Sequence, residues 1–228
     1  MSAADWQAVI LTLKLALLTT VTLMLIGPML AWWLARKRSF IASCVEAVVA
    51  LPLVLPPTVL GFYLLWAFSP VNGFGALWLQ WFGSPLVFSF TGLWFASIIY
   101  SLPFVVQPLQ AAFSNLGKDY LEAAATMGMG GTERFFRIVV PLTLPSFVIA
   151  AVLGFAHTVG EFGVVLMIGG NIAGETRVLS IALFDHVEML DFNAAHRLAG
   201  LLLIFSIAVL VLVYGLMKRR QQRLLPCS

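Results

Sequence analysis

The chain has 228 residues, 61% hydrophobic and 10% charged, with a mean hydropathy of +0.99 and a formal net charge of +3. Soluble domains are about 45–50% apolar and about 25% charged, so this composition excludes an ordinary soluble domain and describes an integral membrane protein. Its pI near 9.1 reflects cations gathered at helix ends rather than a nucleic-acid surface.

A membrane-spanning helix needs about 20 apolar residues, and the hydropathy pattern offers five such segments. The first, 9–35, contains Gly27-Pro28, a predicted kink, and ends in Trp32-Trp33, an interfacial anchor, followed by Arg36-Lys37-Arg38. Few small residues occupy its middle, which predicts a peripheral place in the bundle. The N-terminus carries Asp5 rather than a basic region, and the apolar stretch is too long for a cleavable signal peptide.

The second segment, 44–68, holds Pro52, Pro56 and Pro57. Each removes a backbone donor at membrane depth, where irregular backbone is tolerated only beside protein or a water-filled cavity. Two readings follow: a broken helix lining a path, or a kinked packing helix. A connection over about 69–87 comes next, in which Leu77, Trp78, Trp81 and Phe82 share one face of a short interfacial helix. The third segment, 88–113, carries two further helix breakers, Pro103 and Pro108.

Residues 115–137 form a polar, glycine-rich island. Asp119-Tyr-Leu-Glu122 has capping-box spacing, which predicts a helix start. Gly128, Gly130 and Gly131 should end that helix, and Thr132 should cap a second one leading back into the membrane. A short helix on the membrane surface, followed by a turn and re-entry, makes a handle for a soluble partner.

The fourth segment, 138–168, begins with Pro141-Leu-Thr-Leu-Pro145 and contains Gly160-Glu161-Phe162-Gly163. Intramembrane acids usually pair or line a cavity. Glu161 lies sixteen residues beyond Pro145, ~24 Å at ~1.5 Å per residue, which places it towards the far boundary. It is expected at a gate, flanked by Gly160 and Gly163 and paired with Arg197 or, second, Lys14; the alternative is an exposed acid at a frayed end. Residues 169–197 are rich in turns and carry Glu175, Asp185, Glu188 and Asp191 against Arg177 and Arg197, a net charge of −2. Such a rim repels free anions from bulk water. The fifth segment is 198–217.

Lysine and arginine set the orientation. With five spans, ten of the thirteen cations fall on one face: Arg36, Lys37 and Arg38; Lys118, Arg134 and Arg137; and Lys218, Arg219, Arg220 and Arg223. That face is expected to be cytoplasmic, with the N-terminus outside and the C-terminus inside. Cys44 and Cys227 share it, and a bridge there is not expected. His157, His186 and His196 show no metal-ligand spacing, and no catalytic Ser/His/Asp or Cys/His arrangement stands out. No phosphate-binding G-x-x-x-x-G-K-[ST] loop is present, so any ATPase must be another chain.

Glu122-Ala123-Ala124, with Gly128, Ile138 and Pro141 at the following spacings, resembles the EAA loop of ABC-importer permeases, with Val140 where leucine is usual. The proline-rich second segment, Gly160-Glu-Phe-Gly163, and the block Asn171 to Arg177 together resemble the molybdate, tungstate and sulfate permease family over about residues 45–215. Ala173 stands where that block often has proline. The resemblance implies an all-α membrane fold of the type I importer permease kind. It has about five spans in a single domain, 1–228, and a coupling helix seated in an ATP-binding subunit.

By the same resemblance, Glu122, Ala123, Ala124, Gly128, Ile138 and Pro141 are coupling residues. Pro56, Pro57, Gly160, Glu161 and Gly163 are gate or pathway candidates, and Asn171, Glu175, Thr176 and Arg177 belong to the external mouth. The implied assembly in a bacterial cytoplasmic membrane is two copies of this chain, two ATP-binding subunits and an external molybdate-binding protein. No metal or cofactor is expected on this chain; ATP and Mg²⁺ are used by the partner ATPase. Molybdate leads as the implied substrate, with tungstate and then sulfate or thiosulfate as alternatives. An ion-coupled secondary transporter is the remaining rival, without the internal repeats or midplane charges such proteins show.

Overall fold

The computed structural model describes residues 1–224, with side chains for all of these except Lys118 and 216–224. The tail cations Lys218, Arg219, Arg220 and Arg223, and Cys227, therefore lie outside the described side chains. Helix α1 (Ala3–Arg36) starts at Ser2, whose hydroxyl accepts from the Asp5 N–H while the Asp5 carboxylate accepts from the Ser2 N–H. It passes through Pro28 without interruption. Far from being peripheral, α1 packs at the centre against α5 (Phe90–Ser114) and α8 (Val140–Gly160). Its buried stripe is built from Ala8, Thr12, Ala16, Thr19, Gly27 and Ala31. Counting only glycine and alanine near mid-span misses the threonines that also permit close approach. At Gly27 an added Cβ would meet Val105 Cγ1 at 2.9 Å.

The second apolar segment is broken. Helix α2 (Phe40–Val54) ends before Pro56, α3 (Pro57–Phe68) begins at Pro57, and the two meet at 115°. Adjacent prolines remove two successive N–H donors, and Pro57 takes the first helical position, where a missing donor costs least. Pro52, Pro103 and Pro108 lie inside continuous helices, so the expected breaks in the third span do not occur.

A second short helix, α4 (Gly73–Phe82), carries Trp78 inward against Phe95 and leaves Leu77, Trp81 and Phe82 exposed. The remaining elements are α6 (Lys118–Thr126), α7 (Gly131–Arg134), a π-helical turn (Phe135–Val139), α9 (Gly163–Gly169), α10 (Leu179–Glu188) and α11 (Phe192–Leu224). Among the described residues, four helical stretches are long and apolar enough to cross a membrane, and the bent α2–α3 pair supplies a fifth.

Two apolar cores stack along the bundle. One joins Leu23, Ala31 and Leu34 of α1 with Val49 of α2, Leu109 and Phe113 of α5, Leu121 of α6 and Ala150 of α8. The other joins Leu15 of α1 with Leu60 and Leu64 of α3, Leu93 and Ala96 of α5, and Val164 and Ile168 of α9. Because α2 belongs to the first core and α3 to the second, the bent pair runs from one end of the bundle to the other despite its angle. The polar loop lies at the first core's end; the 170–191 region lies at the opposite end.

Candidate functional site

The polar loop folds as a short helix, a glycine turn and a second helix, but its caps differ from those expected. Helix α6 starts after Gly117 with no side-chain cap, and Asp119 and Glu122 lie inside it; α7 starts after Gly130, with Thr132 inside. Capping-box spacing is satisfied by any helix surface that carries both residues, so spacing alone misplaced the start. The C-terminal end of α6 follows the glycine rule. Gly128 has φ +82°, its N–H donates to the Ala125 carbonyl, and the Met129 N–H donates to the Ala124 carbonyl at 3.1 Å. This is a Schellman cap with glycine in its left-handed position.

The six residues of the motif divide by direction. Ala124 is 1% exposed and faces the bundle beside Leu121, whereas Glu122, Ala123 and Gly128 face outward. Glu122 makes no hydrogen bond or ion pair among the described residues. Ile138 lies in the π-helical turn, half-buried, and Pro141 follows in the first turn of α8. Of the loop's other charges, Glu133 and Arg137 pair at 3.0 Å on the surface.

Deeper in the bundle, the break after α8 brings the second group of sequence candidates together. Pro57, Gly160, Glu161 and Gly163 line one recess of about 540 Å³ with Thr58, Tyr100 and His157, and Pro56 precedes it as the residue before α3. The closeness of α3 and α9 depends on two glycines. A Cβ at Gly163 would lie 2.8 Å from Pro57 Cβ, and one at Gly61 would lie 2.9 Å from Met167 Cβ.

Glu161 is 5% exposed. One carboxylate oxygen accepts from Ser97 at 3.3 Å, the other is buried without a partner, and the backbone carbonyl accepts from Ser180. Neither expected cation reaches it: Arg197 is exposed, and Lys14 lies over the Phe90 ring at 4.6 Å. One turn along α5, Ser101 bonds both His157 Nδ1 and Thr158 Oγ1 at 2.9 Å, and Phe104 stacks on the His157 ring. The result is a polar layer between the two apolar cores. Ser97 and Ser101, one turn apart on α5, supply one side of it.

At the opposite end, the block from Asn171 to Arg177 closes on itself. Asn171 Nδ2 donates to both oxygens of Asp185 at 2.8 Å, and Arg177 pairs with Asp185 at 2.9 Å. Thr176, fully buried, donates to the Gly169 carbonyl at 2.7 Å and accepts from the Ile172 N–H. Asp185 is thereby neutralised, leaving Glu175, Glu188 and Asp191 as the exposed acids of this end. Nearby, Asp5 meets His186 at 2.9 Å and Thr12 accepts from the Leu179 N–H, which fastens α1 to α10. Among the described residues no His, Cys, Asp and Glu side chains group as metal ligands do.

A family profile described as the inner membrane component of binding-protein-dependent transport systems matches residues 24–225. The chain belongs to that family. It is thus a multi-pass inner-membrane transport permease. It is 55% identical over 216 residues to the molybdenum transport system permease protein ModB of Azotobacter vinelandii, covering 94% of this chain and 95% of that one. The Haemophilus influenzae protein of the same description is 36% identical over 96% of each chain. The sulfate transport system permease protein CysT of Escherichia coli is 36% identical over 86% of this chain and 71% of its own length. Among solved structures, a bacterial ABC transporter involved in import of the polysaccharide alginate superposes with a TM-score of 0.69. It is 21% identical, covering 99% of this chain and 82% of that one. That likeness is one of fold.

Proposed function

We propose that this permease carries molybdate inward as the membrane subunit of an ATP-driven importer. The observation that carries the reading is the near full-length 55% identity to a molybdenum permease, against 36% to the sulfate permease. Two copies of the chain enclose the path, since five spans make a thin wall for one. Two ATP-binding subunits dock on the loop at residues 115–137, and ATP and Mg²⁺ are used there, this chain holding no cofactor. The N-terminus and the 170–191 end face outward, where a binding protein delivers the anion; the polar loop faces the cytoplasm.

In this reading Glu122, Ala123 and Gly128 contact the ATPase. Ala124, Ile138 and Pro141 seat the loop on the bundle, Ala124 through its buried packing against it. The recess at Pro57, Gly160, Glu161 and Gly163 belongs to the gate. ATP-driven closure of the two ATPases draws the coupling helices together and opens the path outward, and hydrolysis returns it. Each shift requires ligands with different affinities for the two states. The test is uptake of isotope-labelled molybdate by cells lacking this chain, with and without its restoration, and with tungstate, sulfate and thiosulfate as competitors. Restored uptake blocked by tungstate but not by sulfate is expected. Uptake blocked equally by sulfate would reassign the substrate.

A further inference from the structure

At the coupling end, a recess of about 240 Å³ lies between the ends of α1 and α5 and the side of α6 that carries Leu121, Glu122 and Ala125. Arg36 enters it from α1 and Arg134 from α7. Neither guanidinium has an ion-pair partner among the described residues. Arg36 is held in place by its own helix, its guanidinium carbon 4.1 Å above the Trp32 ring. That ring is wedged in turn against Phe113 and Phe135 at 5.5 and 5.3 Å. Arg134 is half-buried; one terminal nitrogen donates to the Leu121 carbonyl at a long 3.4 Å, and its Nε–H is buried with no acceptor. Glu122, the one acid lining the recess, bonds neither arginine.

A buried cationic donor without a partner is uncommon in native structures. Two guanidiniums sharing a partly dehydrated recess repel one another until an anion joins them. Guanidinium forks match oxygen-rich anions, carboxylate or phosphate. Position favours phosphate: Arg36 stacks on Trp32, a residue type that collects at headgroup depth, so the recess lies at the membrane surface. We infer that Arg36 and Arg134 form a site for a phosphate-class oxyanion, which ties α6 to the end of α1. The ion comes from an anionic lipid headgroup or from the adjoining water, and the site does not depend on which substrate the permease carries.

The full-length chain in dodecyl maltoside tests this by thermal unfolding, with inorganic phosphate in one arm and phosphatidylglycerol against phosphatidylcholine in mixed micelles in the other. A saturable rise in Tm is expected with phosphate or phosphatidylglycerol, and none with phosphatidylcholine. A response to phosphate identifies a soluble ion; a response to phosphatidylglycerol alone identifies the headgroup. The Arg36→Gln/Arg134→Gln pair should abolish the rise. Arg36→Gln alone removes an exposed side chain and keeps the Leu121 contact; it should raise the half-saturating concentration about tenfold, as loss of one charge-assisted hydrogen bond does. No response to either probe, or an undiminished response in Arg36→Gln, overturns the site. Loss of ATPase copurification in Arg36→Gln without any response to the probes assigns the recess to a partner carboxylate and equally overturns it.

Discussion

Replacing Gly128 with alanine isolates the backbone of the coupling loop from its contacts. At φ +82°, with no heavy atom within 4 Å of an added Cβ, the substitution meets open space. Its cost is therefore the left-handed conformation itself, about 1–2 kcal/mol for an L-residue. If the loop escapes that cost by leaving the Schellman turn, its competent fraction falls about 5–30-fold, and apparent affinity for the ATPase falls by the same factor. Asparagine tolerates the left-handed region better, so Gly128→Asn should lie between alanine and wild type. Gly131→Ala is the control, since Gly131 opens α7 without a positive φ and has equally open surroundings. Equilibrium binding of the ATPase chain to solubilised permease should rank wild type and Gly131→Ala tightest, Gly128→Asn next and Gly128→Ala weakest. Wild-type affinity in Gly128→Ala would refute the claim that the partner reads this turn. An equal loss in Gly131→Ala would show that the partner contacts the glycine surface instead.

The other predictions concern the rest of the bundle. Glu161→Ala should lower uptake by about tenfold or more, equivalent to at least ~1.4 kcal/mol, at unchanged membrane levels; wild-type uptake would end its assignment to the gate. Glu161→Gln keeps an acceptor for Ser97 and separates shape from charge: uptake near wild type means that only the shape matters. Gly163→Ala drives a methyl group towards Pro57 and should cost ~1–3 kcal/mol, read as a lowered Tm; an unchanged Tm would mean that α3 and α9 separate freely. Asp185→Ala strands Arg177 and should destabilise by about 3 kcal/mol, whereas Glu175→Ala on the same loop should leave Tm unchanged. A cysteine introduced at Ala173 should be labelled by an impermeant thiol reagent in intact cells, and labelling only after the membrane is opened would invert the orientation.

Much of this architecture was legible because membranes enforce local rules. The five apolar segments, the break at Pro56-Pro57 and the glycine turn at Gly128 each follow from backbone donors or from φ, which neighbouring residues determine. What could not be read depended on other helices. Pro103 and Pro108 break no helix because α5 is packed on several sides, and the buried face of α1 that packs centrally includes Thr12, Thr19 and Thr20. The partner of Glu161 was sought among cations because charge arithmetic runs along the sequence; the structure supplies a hydroxyl from α5 instead. Asn171 and Arg177, expected at the external mouth, both converge on Asp185, whose sequence neighbours give no hint of the pairing. The polar layer itself was half visible, in Glu161 and His157, and its other half needed the register between α5 and α8.

Helix α11 stands apart from these constraints. Among its described side chains, Ala194, Ala195, Leu198 and Val213 are the buried apolar ones, while Leu203, Ile204, Ile207, Leu210 and Val211 are exposed. Its apolar stretch, Phe192–Gly215 with 24 residues, spans about 36 Å at ~1.5 Å each, against a hydrocarbon layer of about 30 Å. Within this chain, then, α11 is held more by dissolution in lipid than by fit to its neighbours. Leucine, isoleucine and valine are interchangeable along its outer face, and its inclination follows the thickness of the bilayer around it.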